Sequence, residues 1–449
     1  MGTDQGKTFT WEEIAAHNTK GDIFLAITGR VYDVTKFLSR HPGGVDTILL
    51  GAGRDVTPVF EMYHAFGAAD AIMKKYYVGT LVSNFLPVFP EPTVFHKTLK
   101  TRVEGYFTDR DIDPKNRPET WGRYALIFGS LIASYYAQLE VVERTWLQVV
   151  FAIIMGFACA QVGLNPLHDA SHPDVTHNPT VWKTLGATHD FDNGASYLVW
   201  MYQHMLGHHP YTNIAGADPD VSTEEPDVRT KRNQKWFVNH INQDMFVPFL
   251  YGLLAFKVRI QDINIIYFVK TNDAIRVNPI STWHTVMFWG GKAFFVYRLI
   301  VPLQYLPLGK VILLETVADM VSSYWLALTF QANHVMEEVQ WPLPDENGII
   351  QKDWAAMQVE TTQDYAHDSH LWTSITGSLN YQAVHHLFPN VSQHHTPNVS
   401  QHHYPDILAI IKNTQSSYKV PYLVKDTFWQ AGASHLEHLR VLGIRPKEE

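Results

Sequence analysis

The chain is nearly without cysteine. Its single one, Cys159, excludes a disulfide framework and any paired-cysteine metal or redox site. A basic excess is also missing. Lys and Arg number 35 against 44 Asp and Glu, a formal charge of −9, which argues against a nucleic-acid partner. There is no GxGxxG, Walker A or GxSxG, and Gly51-Ala-Gly-Arg-Asp-Val lacks the last glycine of a dinucleotide loop. Electrons for any redox chemistry are therefore expected from outside the chain. HExxH is absent, and the one Glu-x-x-His is Glu61–His64, which excludes a carboxylate di-iron bundle built on two such repeats. The amino end MGTDQGKTFTWEE has no basic or apolar leader and no myristoylation pattern, and RPKEE matches no retention address. The first domain is expected to lie in the cytosol.

Histidine, by contrast, is abundant. There are 24, and 15 of them fall in the windows 168–209 and 367–403. With 46% hydrophobic residues over 449 positions, the chain is long enough for two to three domains. Residues 1–80 read as a small soluble domain, because turn signals (Gly21-Asp22, His41-Pro42-Gly43-Gly44, Gly51-Ala52-Gly53) separate short apolar pieces. Residues 81–120 hold five prolines and predict a semi-rigid linker. The remainder, 121–440, predicts an all-α membrane domain. Positions 145–167 carry no formal charge, and about 20 apolar residues cross a bilayer. Four spans are expected, at about 121–140, 146–167, 281–303 and 311–334. Arg117, Arg123, Lys257 and Arg259 flank them as cytosolic charges would. An even number of spans puts both histidine windows and the first domain on one side. The mean hydropathy of −0.14 favours the rival picture of one large soluble protein with buried helices.

His41-Pro-Gly-Gly and a second histidine in Phe60-Glu-Met-Tyr-His64 supply two imidazoles, with a turn that lets backbone approach a porphyrin edge. This module resembles the cytochrome b5 family, which implies an α+β fold for residues 1–80 and haem b held by His41 and His64. Three clusters follow: His168-Asp-Ala-Ser-His172, His204-Met-Leu-Gly-His208-His209 and Gln382-Ala-Val-His385-His386. On a helix i and i+4 share a face, so His168 and His172, and likewise His204 and His208, each predict two imidazoles for one metal. Gln382 shares the face of His385 and His386. Imidazole suits Fe, Zn or Cu, and so many ligands exceed the needs of one four-coordinate zinc.

A cytochrome b5 module, paired membrane helices and three boxes with Gln opening the third resemble the front-end acyl desaturases of the membrane fatty-acid desaturase superfamily. HMLGHHPYTN (204–213) and GSLNYQAVHHLFP (377–389) are most like Δ5 desaturases of marine protists and fungi. The resemblance implies two non-haem irons held by His168, His172, His204, His208, His209, His385 and His386, with Gln382 near the centre. His334, after the last span, fits the place of one further ligand. It also implies O2 as co-substrate, a fatty-acyl substrate entering from the lipid bilayer, a separate NADH-cytochrome b5 reductase, and a multi-pass endoplasmic reticulum protein with boxes and haem facing the cytosol. The expected reaction is a cis double bond set on the carboxyl side of existing ones, at Δ5 of C20 chains. The alternatives are Δ6, Δ8, Δ4 or sphingolipid Δ8 desaturation, a b5-fused hydroxylase, and a non-catalytic haem-bearing electron carrier.

His177 and His189 read as structural or as outer support for the boxes, and the acidic loop 218–227 as a solvated face, with docking of a basic partner as the alternative. Two features depart from the family pattern. Pro389-Asn-Val-Ser-Gln-His-His is repeated at Pro397–His403, and acids stand at Glu140, Asp174, Asp192, Asp244, Glu315 and Asp319 where neutral residues are usual. Charge at a bilayer centre costs about 2.5–3.5 kcal/mol, so Glu315 and Asp319, on one helix face, are expected to line the bundle interior.

Overall fold

The computed structural model describes residues 7–64, 70–115, 118–221, 227–393 and 403–446. Arg117, Glu224 and Glu225 lie outside the described residues, as do most of the second repeat copy and His394, His395 and His402. His403 opens the His403–Tyr418 helix, where it is buried beside Tyr106 and away from the boxes.

The amino-terminal unit is a six-stranded sheet: β1 (Lys7–Phe9), β2 (Asn18–Thr19), β3 (Asp22–Ile27), β4 (Arg30–Asp33), β5 (Arg54–Asp55) and β6 (Tyr77–Leu81). Its order is β1-β6-β4-β3-β2, with β5 added in parallel to β3. Alternation places Ile23, Leu25 and Ile27 of β3 in a core with Tyr32, Ile48 and Val56. The helices Val45–Gly51 and Thr57–Tyr63 follow from this core and carry the chain past His41 and His64.

This unit is fastened to the rest of the chain by directed polar contacts. Arg54 donates to the Arg276 carbonyl (2.9 Å) and to Asn278 Oδ1 (3.1 Å). Arg276 donates to the carbonyls of Gly53 (2.9 Å) and Ala15 (3.2 Å), and Asn278 Nδ2 to those of Leu49 (2.8 Å) and Ala52 (2.9 Å). Lys100 pairs with Glu61 (3.1 Å), and Lys183 with Asp46.

Among the described residues three helices are long and apolar enough to cross a membrane: Thr145–Ser171, Thr282–Gln304 and Leu308–His334. The expected span at 121–140 is a helix, Pro118–Tyr136, but it is not one of the three; Glu119 and Arg123 occupy its first turns. It packs Leu131 against Met155, Ala158 and Cys159 of the next helix. Thr145–Val162 and Leu308–His334 lie in close contact because residue 156 is glycine. A Cβ there would sit 2.3 Å from the Ala318 carbonyl oxygen. Outward faces carry Trp289, Val296 and Ile312, exposed as lipid contact requires.

The acids inside this bundle are paired. Arg259 holds Asp319 with two bonds (2.6 and 2.8 Å), Arg298 reaches Glu315 (3.3 Å), and Lys292 reaches Asp262 (2.7 Å). Glu315 and Asp319 thus face the interior, as their shared helix face predicts. Arg259, read from sequence as a flanking charge, is instead turned inward to Asp319. Asp174, Asp192 and Asp244 sit outside the three spans, and Glu140 lies in the turn Ala137–Val141.

Removing one partner of a buried pair leaves a charge uncompensated, at a cost of about 3–5 kcal/mol. Arg298→Ala is expected to lower the thermal midpoint of the detergent-solubilised protein, whereas Arg298→Met with Glu315→Leu recovers most of it. Equal losses in both variants would mean the pair contributes nothing.

Candidate metal centre

His41 leaves the turn of which Gly44 (φ +85°) is the last residue, a backbone conformation that β-carbon sterics disfavour. Its Nδ1 donates to the Gly44 carbonyl (3.2 Å), and His64 Nδ1 donates to the Phe60 carbonyl (3.1 Å). Both Nε2 atoms remain for a ligand. The ring centroids are 6.1 Å apart. Two axial bonds of about 2 Å, with the short step from ring centre to nitrogen on each side, span about that distance. Burial holds both imidazoles below their usual pKa, in the neutral form that ligates. The two residues fit a six-coordinate haem.

The boxes converge from far apart in the chain. Box 1 ends the Thr145–Ser171 helix after a π turn at Gly163–Leu167, which absorbs Pro166 and its missing N–H. Box 2 is itself a π turn, His204–His208, following the Tyr197–Gln203 helix. Box 3 lies on the Gln382–Leu387 helix, and His334 closes the last span. Two groups of ligand atoms result, each within 4.8 Å: His168, His172, His204 and His385, and His208, His334 and His386. His209 stands between them, its ring 4.5 Å from His204 and 4.3 Å from His386.

The i, i+4 expectation holds for His168 and His172 and fails for His204 and His208. A π turn repeats at i+5, so His204 meets His209 (Nε2 to Nε2, 3.2 Å) while His208 turns to the second group. His168 and His385 approach equally closely, Nε2 to Nε2 at 3.1 Å. Two metal bonds of about 2.1 Å set near a right angle end about 3 Å apart, so such contacts are what shared ligation needs. His172 Nε2 and His386 Nε2 are buried without a hydrogen-bond partner. Buried polar atoms of that kind call for an ion. Burial and neighbouring imidazoles keep His204, His209, His385 and His386 neutral, with pKa values well below the usual range. The residues therefore fit two metal ions.

Outer partners fix the rings. His386 Nδ1 donates to Gln358 Oε1 (2.7 Å), and His334 Nδ1 to the Thr361 carbonyl (3.1 Å). His208 Nδ1 faces Asp218 (3.2 Å) and Asp220 (3.5 Å). Burial opposes its charging, yet the two carboxylates prevail and lift it to about 9. Asp218 is thus buried, not part of a solvated face. Trp200 stacks on His204 at 4.4 Å. Gln382 joins neither group; its amide contacts His334 Nε2 (2.8 Å) and is held by Asn333 (2.8 Å). Tyr63, one residue before His64, places its hydroxyl 2.7 Å from His172 Nδ1. Sequence reasoning missed Tyr63, Gln358, Thr361 and Trp200, none of which lies in a box. His177 pairs with Asp113 at the surface and His189 with Asn193 in the interior, structural roles as expected.

Residues 144–424 match the family described as Fatty acid desaturase, and residues 10–82 match Cytochrome b5-like Heme/Steroid binding domain. The chain is 92% identical to an acyl-lipid (8-3)-desaturase of Mortierella alpina over the full length of both. An acyl-lipid (8-3)-desaturase B of Dictyostelium discoideum is 40% identical, over 98% of this chain and 95% of its own. The Delta(5) fatty acid desaturase A of the same organism is 37% identical over the same shares.

His385 and His386 are neighbours that serve different groups. His385→Ala and His386→Ala are each expected to lose about one equivalent of non-haem metal while haem content stays whole, read by metal analysis and the Soret band. Loss of both equivalents in each variant would refute the division.

Proposed function

This chain belongs to the fatty acid desaturase family, with a cytochrome b5-like domain ahead of the desaturase region, and on that premise we propose how it acts on acyl lipids. It is a front-end acyl-lipid desaturase and a membrane protein. The observation that carries the reading is the convergence of seven imidazoles into two adjoining buried groups of four and three, with an eighth, His209, between them.

His168, His172, His204 and His385 would hold one iron, and His208, His334 and His386 the other, with His209 between them. When bound, the irons with O2 supply the oxidant that removes two hydrogens from an unactivated methylene pair, and the haem held by His41 and His64 supplies electrons singly. The protein's part is positional. Gln358, Thr361 and Asp218 orient His386, His334 and His208, and so keep each Nε2 aimed inward. Trp200 screens His204 from one side, which helps exclude water from the reacting methylenes. Gln382 lies beside the second group, its amide held between His334 and Asn333.

The division into a haem domain at 1–80, a linker at 81–120 and a desaturase domain at 121–440 belongs to the proposal. So do a separate NADH-cytochrome b5 reductase as electron source and residence in the endoplasmic reticulum, haem and boxes toward the cytosol. The three apolar helices and the family support the membrane part, and the shared side for haem and boxes further requires that the Pro118–Tyr136 helix crosses as a fourth span. A haem carrier without catalysis is set aside, because the relatives named above are desaturases.

For the position of the new bond, the 92% identical relative carries the numbers 8 and 3, and Δ5 is printed for a relative at 37%. Carbon 8 is therefore the landmark. It is either the site of the new bond, the Δ8 alternative, or the existing bond in front of which the new one is set.

Yeast expressing the chain and fed separately with C20 acids that have or lack a bond at carbon 8 decides this by gas chromatography–mass spectrometry. A bond at carbon 8 of the second acid gives Δ8; a bond at carbon 5 of the first gives Δ5. Either product should vanish in His385→Ala. Absence of any new bond, with haem and both irons present, would overturn the function.

A further inference from the structure

The haem domain and the first metal group are joined at one point. His64 closes the Thr57–Tyr63 helix, and the preceding residue, Tyr63, reaches out of the domain. Its ring packs against both large apolar clusters of the desaturase region, and its hydroxyl lies 2.7 Å from His172 Nδ1. With Nε2 of His172 turned to its metal group and without another partner, Nδ1 carries the hydrogen and donates to the tyrosine oxygen. His64 is tied in turn by Nδ1 to Phe60 and stacked on that ring at 4.2 Å. A run of covalent bonds interrupted by a single short hydrogen bond therefore leads from one metal-ligating histidine to another. Electron tunnelling weakens steeply across empty space and much less through bonds.

We propose that Tyr63 is the electronic link between the two redox centres, acting through His172 as a positioning residue. The inference rests on the desaturase reading above. In each passage the haem iron is oxidised from ferrous to ferric and one non-haem iron is reduced from ferric to ferrous. Two passages, with O2 and two protons, convert one –CH2–CH2– to –CH=CH– and release two waters. The external reductase restores the haem each time. Tyr63 itself is neither oxidised nor deprotonated; it supplies orbital contact and holds the His172 ring toward the haem side. Docking by Arg54, Arg276 and Asn278 keeps that contact in place.

The test uses the full-length holoenzyme in lipid nanodiscs. Haem is reduced without oxygen in the presence of acyl substrate, the sample is mixed with O2, and haem reoxidation is followed by stopped-flow absorbance. Haem content, haem midpoint potential and non-haem iron are measured on the same preparations. Tyr63→Phe is expected to leave those three quantities at parent values and to slow reoxidation about tenfold or more, the usual scale for loss of an outer partner of a metal ligand. Should Tyr63→Phe fail to accumulate, 4-fluorophenylalanine at position 63 fills the hydroxyl's space without a comparable hydrogen bond and is expected to behave the same way. Unchanged reoxidation with iron in place overturns the proposal. So does slow reoxidation that accompanies loss of iron, because Tyr63 would then only hold the ligand. A small-molecule reductant that bypasses the haem should give the same double bond in parent and variant. If it gives none in the parent, the desaturase reading fails, which is distinct from failure of the link.

Discussion

Four of the eight clustered histidines answer to one constraint: an imidazole that ligates through Nε2 is fixed in place when its other nitrogen finds a partner, deep in a region where an unmet polar atom is costly. His386, His334, His172 and His208 meet it with Gln358, the Thr361 carbonyl, Tyr63 and Asp218, drawn from three separate stretches of the chain. The metal centre is thus a knot of long-range contacts. The helices that bring these residues together are held by their own paired charges, so the bundle tolerates acids that a lipid-facing surface would not.

The haem domain depends on the same logic at its edge. Its attachment combines an apolar seam at Leu50, Val59, Met62 and Tyr63 with directed bonds, in which arginine and asparagine side chains end on backbone carbonyls of the Leu49–Gly53 stretch. Such bonds specify orientation, which apolar burial alone does not. A fused carrier that merely floated nearby would gain local concentration, of the order of millimolar for a short tether. A docked one gains a fixed path as well.

Much of this was legible in the sequence. HPGG with a following histidine, and three histidine clusters at helix-like spacing, are local signals, and local geometry honours them at His41, His64, His168, His172, His385 and His386. His334 also falls where the pattern put it. What spacing did not convey was the pairing of His204 with His209, because nothing in HMLGHH marks a π turn. Asp218 and Asp220 read as surface acids, since their burial depends on where box 2 folds back. Tyr63 carried no signal, for its partner lies 109 residues away. The expected span at 121–140 is present as the helix Pro118–Tyr136, though length and composition do not mark it out. Charges at Glu119 and Arg123 and a face pressed on its neighbour make it less apolar than its length suggested.

The two π turns have a further consequence. Each amounts to one residue more than an α-helical screw would hold, a phase slip of about 100° in the direction that later side chains point. Box 1 and box 2 aim correctly only after those slips. Conservative replacement of Leu206 or Leu164 alters volume and leaves the phase intact. Deletion of one residue in either stretch heals the helix, rotates every following imidazole away from its partners and leaves the bundle folded around a scattered set of ligands. The reading frame of the helix, more than the identity of its apolar residues, is where this chain is most easily disarmed in evolution.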